Sequence, residues 1–247
     1  MPRPTFRLKP ASPSALAWAG LGAVLLDLAI VALLLGAAVA QWAPPQDLPW
    51  TPLRLNDPVG LATRAKFDAA ASDPALCRAV LAEGGIDFVD EPSRTRGACT
   101  TDNTVRLGEG ALPLSPARPV MTCPMALSYA FWTRHDLQAA ARDELDRPIA
   151  RIEHYGTFAC RNVYGRATGA RSQHAYANAL DVAAFRTTSG AQVSVVRDFR
   201  GEDAEGRFLR RARDSACRWF RATLSPDYNA AHADHLHLDR GRFRACR

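Results

Sequence analysis

Arg171-Ser-Gln-His-Ala-Tyr-Ala-Asn-Ala-Leu-Asp181-Val-Ala-Ala-Phe185 and Tyr228-Asn-Ala-Ala-His232-Ala-Asp-His235-Leu-His237-Leu-Asp239 are the two stretches that decide how this chain is read. Side chains alternate across a strand, so Asn178–Phe185 written as a strand puts Ala179, Asp181, Ala183 and Phe185 on one face and Leu180 and Val182 on the other. In the second stretch the same period aligns His235, His237 and Asp239, with Leu236 and Leu238 turned toward a core. Both stretches are therefore placed on strands. Four of the chain's six histidines fall here, and zinc takes imidazole and carboxylate ligands at about 2.0–2.2 Å. Three protein ligands leave a fourth position for water, which separates a catalytic zinc site from a structural one. A His-x-His pair on a strand is by itself commonly incidental; joined to the His174-x6-Asp181 spacing, it favours a metal centre. His135 and His154 lack such a context and read as surface or hydrogen-bonded residues, while His232 lies near the site but off the alternating face.

Outward from these stretches the pattern is mixed. Ser72-Asp73-Pro74 opens a helix to about Glu83, with Gly84-Gly85 as its stop. Ile86–Val89 reads as a short strand, and the sequence up to Pro119 as loops. Pro124 to about Leu145 is a long helix, Ile149–Tyr155 a strand, and Glu205–Leu224 a helix with Phe208, Ala212, Ala216, Trp219, Phe220 and Thr223 on one face. The expected class is α+β: a small antiparallel sheet carrying a zinc site, flanked by helices and preceded by a transmembrane helix. No internal repeat is present.

Ala15–Ala40 is apolar apart from Asp27 and long enough to span a hydrocarbon core. Ala38-Val39-Ala40 before Gln41 has the look of a signal-peptidase site, but the run exceeds the roughly 7–15 residues of a cleaved signal. Arg3, Arg7 and Lys9 ahead of it place the N-terminus in the cytoplasm and the rest outside. The expected layout is a cytoplasmic tail over 1–14, an inner-membrane anchor over 15–42, a proline-rich spacer over 43–69 and a periplasmic domain over 70–247. All six cysteines follow the apolar run, which favours disulfides; sequential pairing is expected, Cys77 with Cys99, Cys123 with Cys160 and Cys217 with Cys246. The formal charge of +6 is spread as single arginines, so no nucleic-acid partner is expected. With 47% apolar residues the chain can build a core. Nothing in the sequence sets an oligomeric state.

At the two opening stretches the sequence resembles two related groups. Ser172-Gln-His174 with Asp181, and His235-Leu-His237, resemble the zinc D,D-peptidases and lysostaphin-like endopeptidases of bacterial cell walls. Cys160-Arg161-Asn162, Ser172–Val182, Phe208-Leu209-Arg210, Ala216-Cys217 and Tyr228–Asp239 resemble the bacterial extensin-like C-terminal domain family, over roughly residues 70–247. The resemblance implies zinc held by His174, Asp181 and His237. It implies His235 as general base, with Asp234 as second candidate because a Glu stands at that spacing in some relatives. It further implies a cell-wall peptide of peptidoglycan as substrate and hydrolysis of a peptide bond. A guanidinium suits the terminal carboxylate of such a substrate, and Arg161 is the candidate. Ser172 is expected near the metal shell or capping a turn. Ala177 departs from the peptidases, which usually have glycine there. The rival expectation is a zinc-containing wall-binding module without catalysis. A structural extensin of the plant type would need Ser-Pro-rich repeats, and none occurs.

Overall fold

The computed structural model describes residues 13–247; Arg3, Arg7 and Lys9, on which the orientation argument rests, lie outside the described residues. The first element among the described residues is helix α1 (Pro13–Trp42), of which Leu21–Trp42 is long and apolar enough to cross a membrane, a property that a signal sequence shares. Helices α2 (Thr63–Ser72) and α3 (Pro74–Glu83) follow. Asp73 caps α3 as its sequence suggests: its Oδ1 accepts from the N–H groups of Ala75 and Leu76, and Pro74 occupies the first turn, where no donor is needed.

The strand expected at Ile86–Val89 is present as β1 (Phe88–Glu91); the stretch read as loops up to Pro119 carries β2 (Arg94–Arg96), β3 (Cys99–Thr101), β4 (Thr104–Leu107) and β5 (Leu114–Ser115), and β6 (Val120–Thr122) follows it. The long helix is present as α4 (Cys123–Phe131), a wider π-type turn over Trp132–Leu137, and α5 (Gln138–Leu145). Strands β7 (Ile149–Gly156), β8 (Ala179–Thr187) and β9 (Gln192–Ser194), the single turn α6 (Val195–Asp198), helix α7 (Ala204–Ala216), and strands β10 (Ala222–Leu224), β11 (Leu236–Asp239) and β12 (Ala245–Cys246) complete the order. The helix expected to run to Leu224 stops at Ala216. Trp219 and Phe220 are buried, as its apolar face implied, but Ala222–Leu224 pairs with β11, and that ladder overrides the helical period.

The main sheet has the order β12-β10-β11-β8-β7-β5, with β9 beside the second half of β8. It is antiparallel except at its margins, where β5 runs parallel to β7 and β12 to β10. A separate three-stranded antiparallel sheet, β1-β4-β6, packs nearby. Leu180, Val182, Leu236 and Leu238 enter a core with Phe67, Phe131, Trp132, Phe208 and Trp219. Phe185 joins that core, contrary to strict alternation. Between Glu153 and His154 the ladder advances one residue on β7 and two on β8, so Ala183 forms a bulge and every residue beyond it changes face.

Two further expectations are corrected. Residues 43–69 are not a free spacer: Leu48, Leu53, Leu55 and Phe67 are buried, α2 occupies the end of the segment, and Lys66 Nζ donates to the carbonyl of Pro45 at 2.9 Å and to Thr51 Oγ1 at 3.1 Å. Proline blocks regular structure there without preventing burial of the leucines between. The disulfides are Cys77–Cys123, Cys99–Cys160 and Cys217–Cys246, so only the last pair is sequential. Cys77 on α3 meets Cys123 at the start of α4 where the two helices pack, and that packing, not chain distance, selects the partner.

Candidate metal centre

The antiparallel register sets His237 of β11 directly opposite Asp181 of β8. Directly opposed side chains on one face lie within contact distance, and His237 Nδ1 is 2.8 Å from Asp181 Oδ1. His174 reaches the same point from a 3-10 turn, Gln173–Tyr176, rather than from a strand. Ser172 opens that turn, its Oγ accepting from the His174 N–H at 3.3 Å. Ala177 closes it in a left-handed conformation with φ of 53°, a backbone region that favours glycine. His174 Nε2 then stands 3.0 Å from Asp181 Oδ2 and 3.3 Å from His237 Nδ1. A ligand atom from each of His174, Asp181 and His237 lies within 4.8 Å of the others, a spacing compatible with one bound cation.

The outward ring nitrogens are also engaged. His174 Nδ1 faces the Thr157 carbonyl at 3.3 Å, and His237 Nε2 faces Asp239 Oδ2 at 3.0 Å. These contacts fix the ring orientations and leave His174 Nε2 and His237 Nδ1 to point inward. Burial alone would raise the Asp181 carboxyl, but hydrogen bonds from His174 and His237 outweigh it and hold it well below the ordinary carboxylate range. Burial likewise opposes a charge on His237, yet Asp181 and Asp239 push it up to about 9. The centre attracts positive charge.

The model of a family described as Extensin-like protein C-terminus matches residues 75–247. The chain belongs to the extensin-like C-terminal family. No curated protein and no solved structure matches it significantly. In this extensin-like domain the centre opens into a cleft of about 1300 Å³, lined by Asp181, His232, His235 and His237 and, among others, by Arg161 and Ser172. Arg161 is exposed and makes no ion pair among the described residues. Arg171, which pairs with Asn162 in an isolated antiparallel bridge, also lines the cleft but donates to Asn162 Oδ1 at 3.0 Å. His235 lies just before β11; its Nδ1 is 2.8 Å from Asp234 Oδ1 and its Nε2 3.5 Å from Asp181 Oδ1. Asp234 is half exposed and turned to His235 rather than inward. Tyr155 lies edge-on to His235, ring centroids 5.9 Å apart.

Three participants are not assigned by the sequence reading. Asp239 is the carboxylate behind His237, and its place two residues on along the strand was the signal for it. His232 is buried and forms a second group with His235 and His237 that satisfies the same 4.8 Å spacing; the His-x-x-His interval was its signal. Its Nδ1 faces Asn229 Oδ1 at 2.7 Å, and burial, then His237 and His235, push it down to about 4. The Thr157 carbonyl carries no side-chain signal. His135 and His154 bond the carbonyls of Leu55 and Pro116, as structural residues do.

Proposed function

We propose that this extensin-like domain is a zinc-dependent cell-wall peptidase, a carboxypeptidase or endopeptidase acting on peptidoglycan stem peptides, related in mechanism to the D,D-peptidases and lysostaphin-type enzymes. The observation that carries this reading is the convergence of His174 Nε2, Asp181 and His237 Nδ1 with both outward ring nitrogens already bonded. These donors fit zinc: two imidazoles and one carboxylate in a concave, partly buried site. The His232-His235-His237 group offers three imidazoles, a set that zinc also takes; we favour the first set because the Asp181 carboxylate offsets part of a dication's charge. Zinc held there would polarise a substrate carbonyl and acidify a water molecule.

The chain's own residues supply the remaining steps. With Nδ1–H donated to Asp234, His235 keeps Nε2 free to take the proton of the attacking water and return it to the leaving amine. Asp234 thus orients the base. Arg161 receives the carboxylate of the stem peptide, and Ser172 holds the turn that presents His174. Three disulfides suit an oxidising compartment, so the domain is assigned to the periplasmic side of an inner membrane that α1 crosses. The full chain, purified in detergent, should contain stoichiometric zinc and release new amino groups from isolated peptidoglycan, identified by product mass. Absence of zinc sinks the reading. Zinc with intact peptidoglycan favours the wall-binding alternative instead.

A further inference from the structure

Trp42, Trp50, Val59 and Leu61 are exposed, Leu61 at 90% and the two tryptophans at 80% and 66%. They are scattered over twenty residues of sequence, along a segment whose backbone folds back on itself. After α1 ends at Trp42, only Ala43 and Pro44 precede a short turn at Pro45–Asp47. Leu61 is pinned to that turn: its N–H donates to Asp47 Oδ1 at 2.7 Å, and the Ala62 N–H donates to the Gln46 carbonyl at 3.2 Å. Gly60 permits this approach, since a Cβ there would lie 2.9 Å from the Gln46 carbonyl carbon. Thr51, next to Trp50, bonds the Pro45 and Leu48 carbonyls, and Lys66 ties both Pro45 and Thr51 to α2. The segment is a knot clasped to the domain.

We infer that the exposed apolar side chains Trp42, Trp50, Val59 and Leu61 rest in the headgroup layer of the membrane that α1 crosses. The inference rests on the reading of α1 as a retained anchor. From Trp42 to Pro45 the chain can extend at most about 11 Å. The headgroup layer on each side of a bilayer is roughly 5–8 Å thick. Even at full stretch the link carries Pro45 no more than about 3–6 Å beyond that layer, so the knot stays beside the lipid. Tryptophan favours this layer, because its ring is apolar and its N–H stays near water. Two acids lie in the knot, Asp47 and Asp57, and one carboxylate oxygen of Asp47 is turned to the Leu61 N–H. The expected consequence is a domain seated on the bilayer with a fixed aspect, instead of one swinging on a leash.

Nitroxide labels attached to Leu33→Cys, Trp50→Cys, Leu61→Cys and Val196→Cys, each in the full chain reconstituted into phospholipid nanodiscs, test this. No free cysteine occurs among the described residues, so each label is single. Collision rates with oxygen, which partitions into lipid, are compared with those of a water-soluble nickel chelate. Position 33 should read as lipid, position 196 as water, and positions 50 and 61 as interfacial, with nickel collisions reduced several-fold relative to 196. If 33 reads as lipid and 50 and 61 match 196, the docking is overturned while the anchor stands. If 33 does not read as lipid, the anchor fails and the docking with it. Positions 50 and 61 shielded from both reagents would mean a protein partner on this segment, which also overturns the proposal.

Discussion

His235 and His237 are two residues apart in sequence, yet their surroundings differ, and in the proposed zinc site they would do different work. His237 has Asp181 on one ring nitrogen and Asp239 on the other, whereas His235 has Asp234 behind it and stands 3.5 Å from Asp181. Replacing His237, His174 or Asp181 by alanine should therefore abolish stoichiometric zinc, while His235→Ala should retain zinc and lose turnover. Metal analysis of the four variants, with circular dichroism to show that each is folded, checks this; loss of zinc from His235→Ala alone would reverse the two roles. Asp239→Ala keeps all three ligands but frees the His237 ring, and should weaken zinc binding about 10–100-fold in a chelator competition. An unchanged affinity would mean that the strand alone holds the ring.

Among the elements, the knot between α1 and α2 is held in part by a buried cation. Lys66 is only 8% exposed and donates to two partners within 3.1 Å. Lys66→Met preserves the apolar stem and leaves the Pro45 carbonyl and the Thr51 hydroxyl short of a donor. It should lower stability by about 1–3 kcal/mol in urea unfolding. Protease sensitivity over residues 45–61 should rise in parallel. A variant as stable as the parent would show that Leu48, Leu53 and Leu55 hold the knot by themselves.

At the scale of the whole molecule, three disulfides cross-link the domain, and their pattern differs from sequential order. Digestion without reduction should yield peptides joining Cys77 to Cys123 and Cys99 to Cys160; peptides joining Cys77 to Cys99 would contradict the packing of α3 on α4. Cys77–Cys123 closes a loop of 46 residues. By loop-closure entropy, replacing both cysteines with alanine should cost on the order of 4 kcal/mol, read as a drop in the denaturation midpoint. Breaking Cys217–Cys246 should cost slightly less, since its loop of 29 residues is shorter.

Local chemistry announced much of this protein. The cap at Asp73, the long helix beginning near Pro124, the strand from Ile149 and the apolar run of α1 were legible because each depends on neighbours within one or two turns of chain. The grouping of His174, Asp181, His235 and His237 was also legible, since side-chain type and short spacing single them out before any fold is known. Long-range pairing was hidden. Whether Ala222–Leu224 continued a helix or joined β11, and whether Cys77 met Cys99 or Cys123, depended on partners that only packing brings close. The bulge at Ala183 turned Phe185 into the core for the same reason, because a ladder is a property of two strands. His174 stands beside His237 because a turn with a left-handed Ala177 returns the chain to β8, and Asp239 and the Thr157 carbonyl complete the site from positions whose nearness exists only in three dimensions.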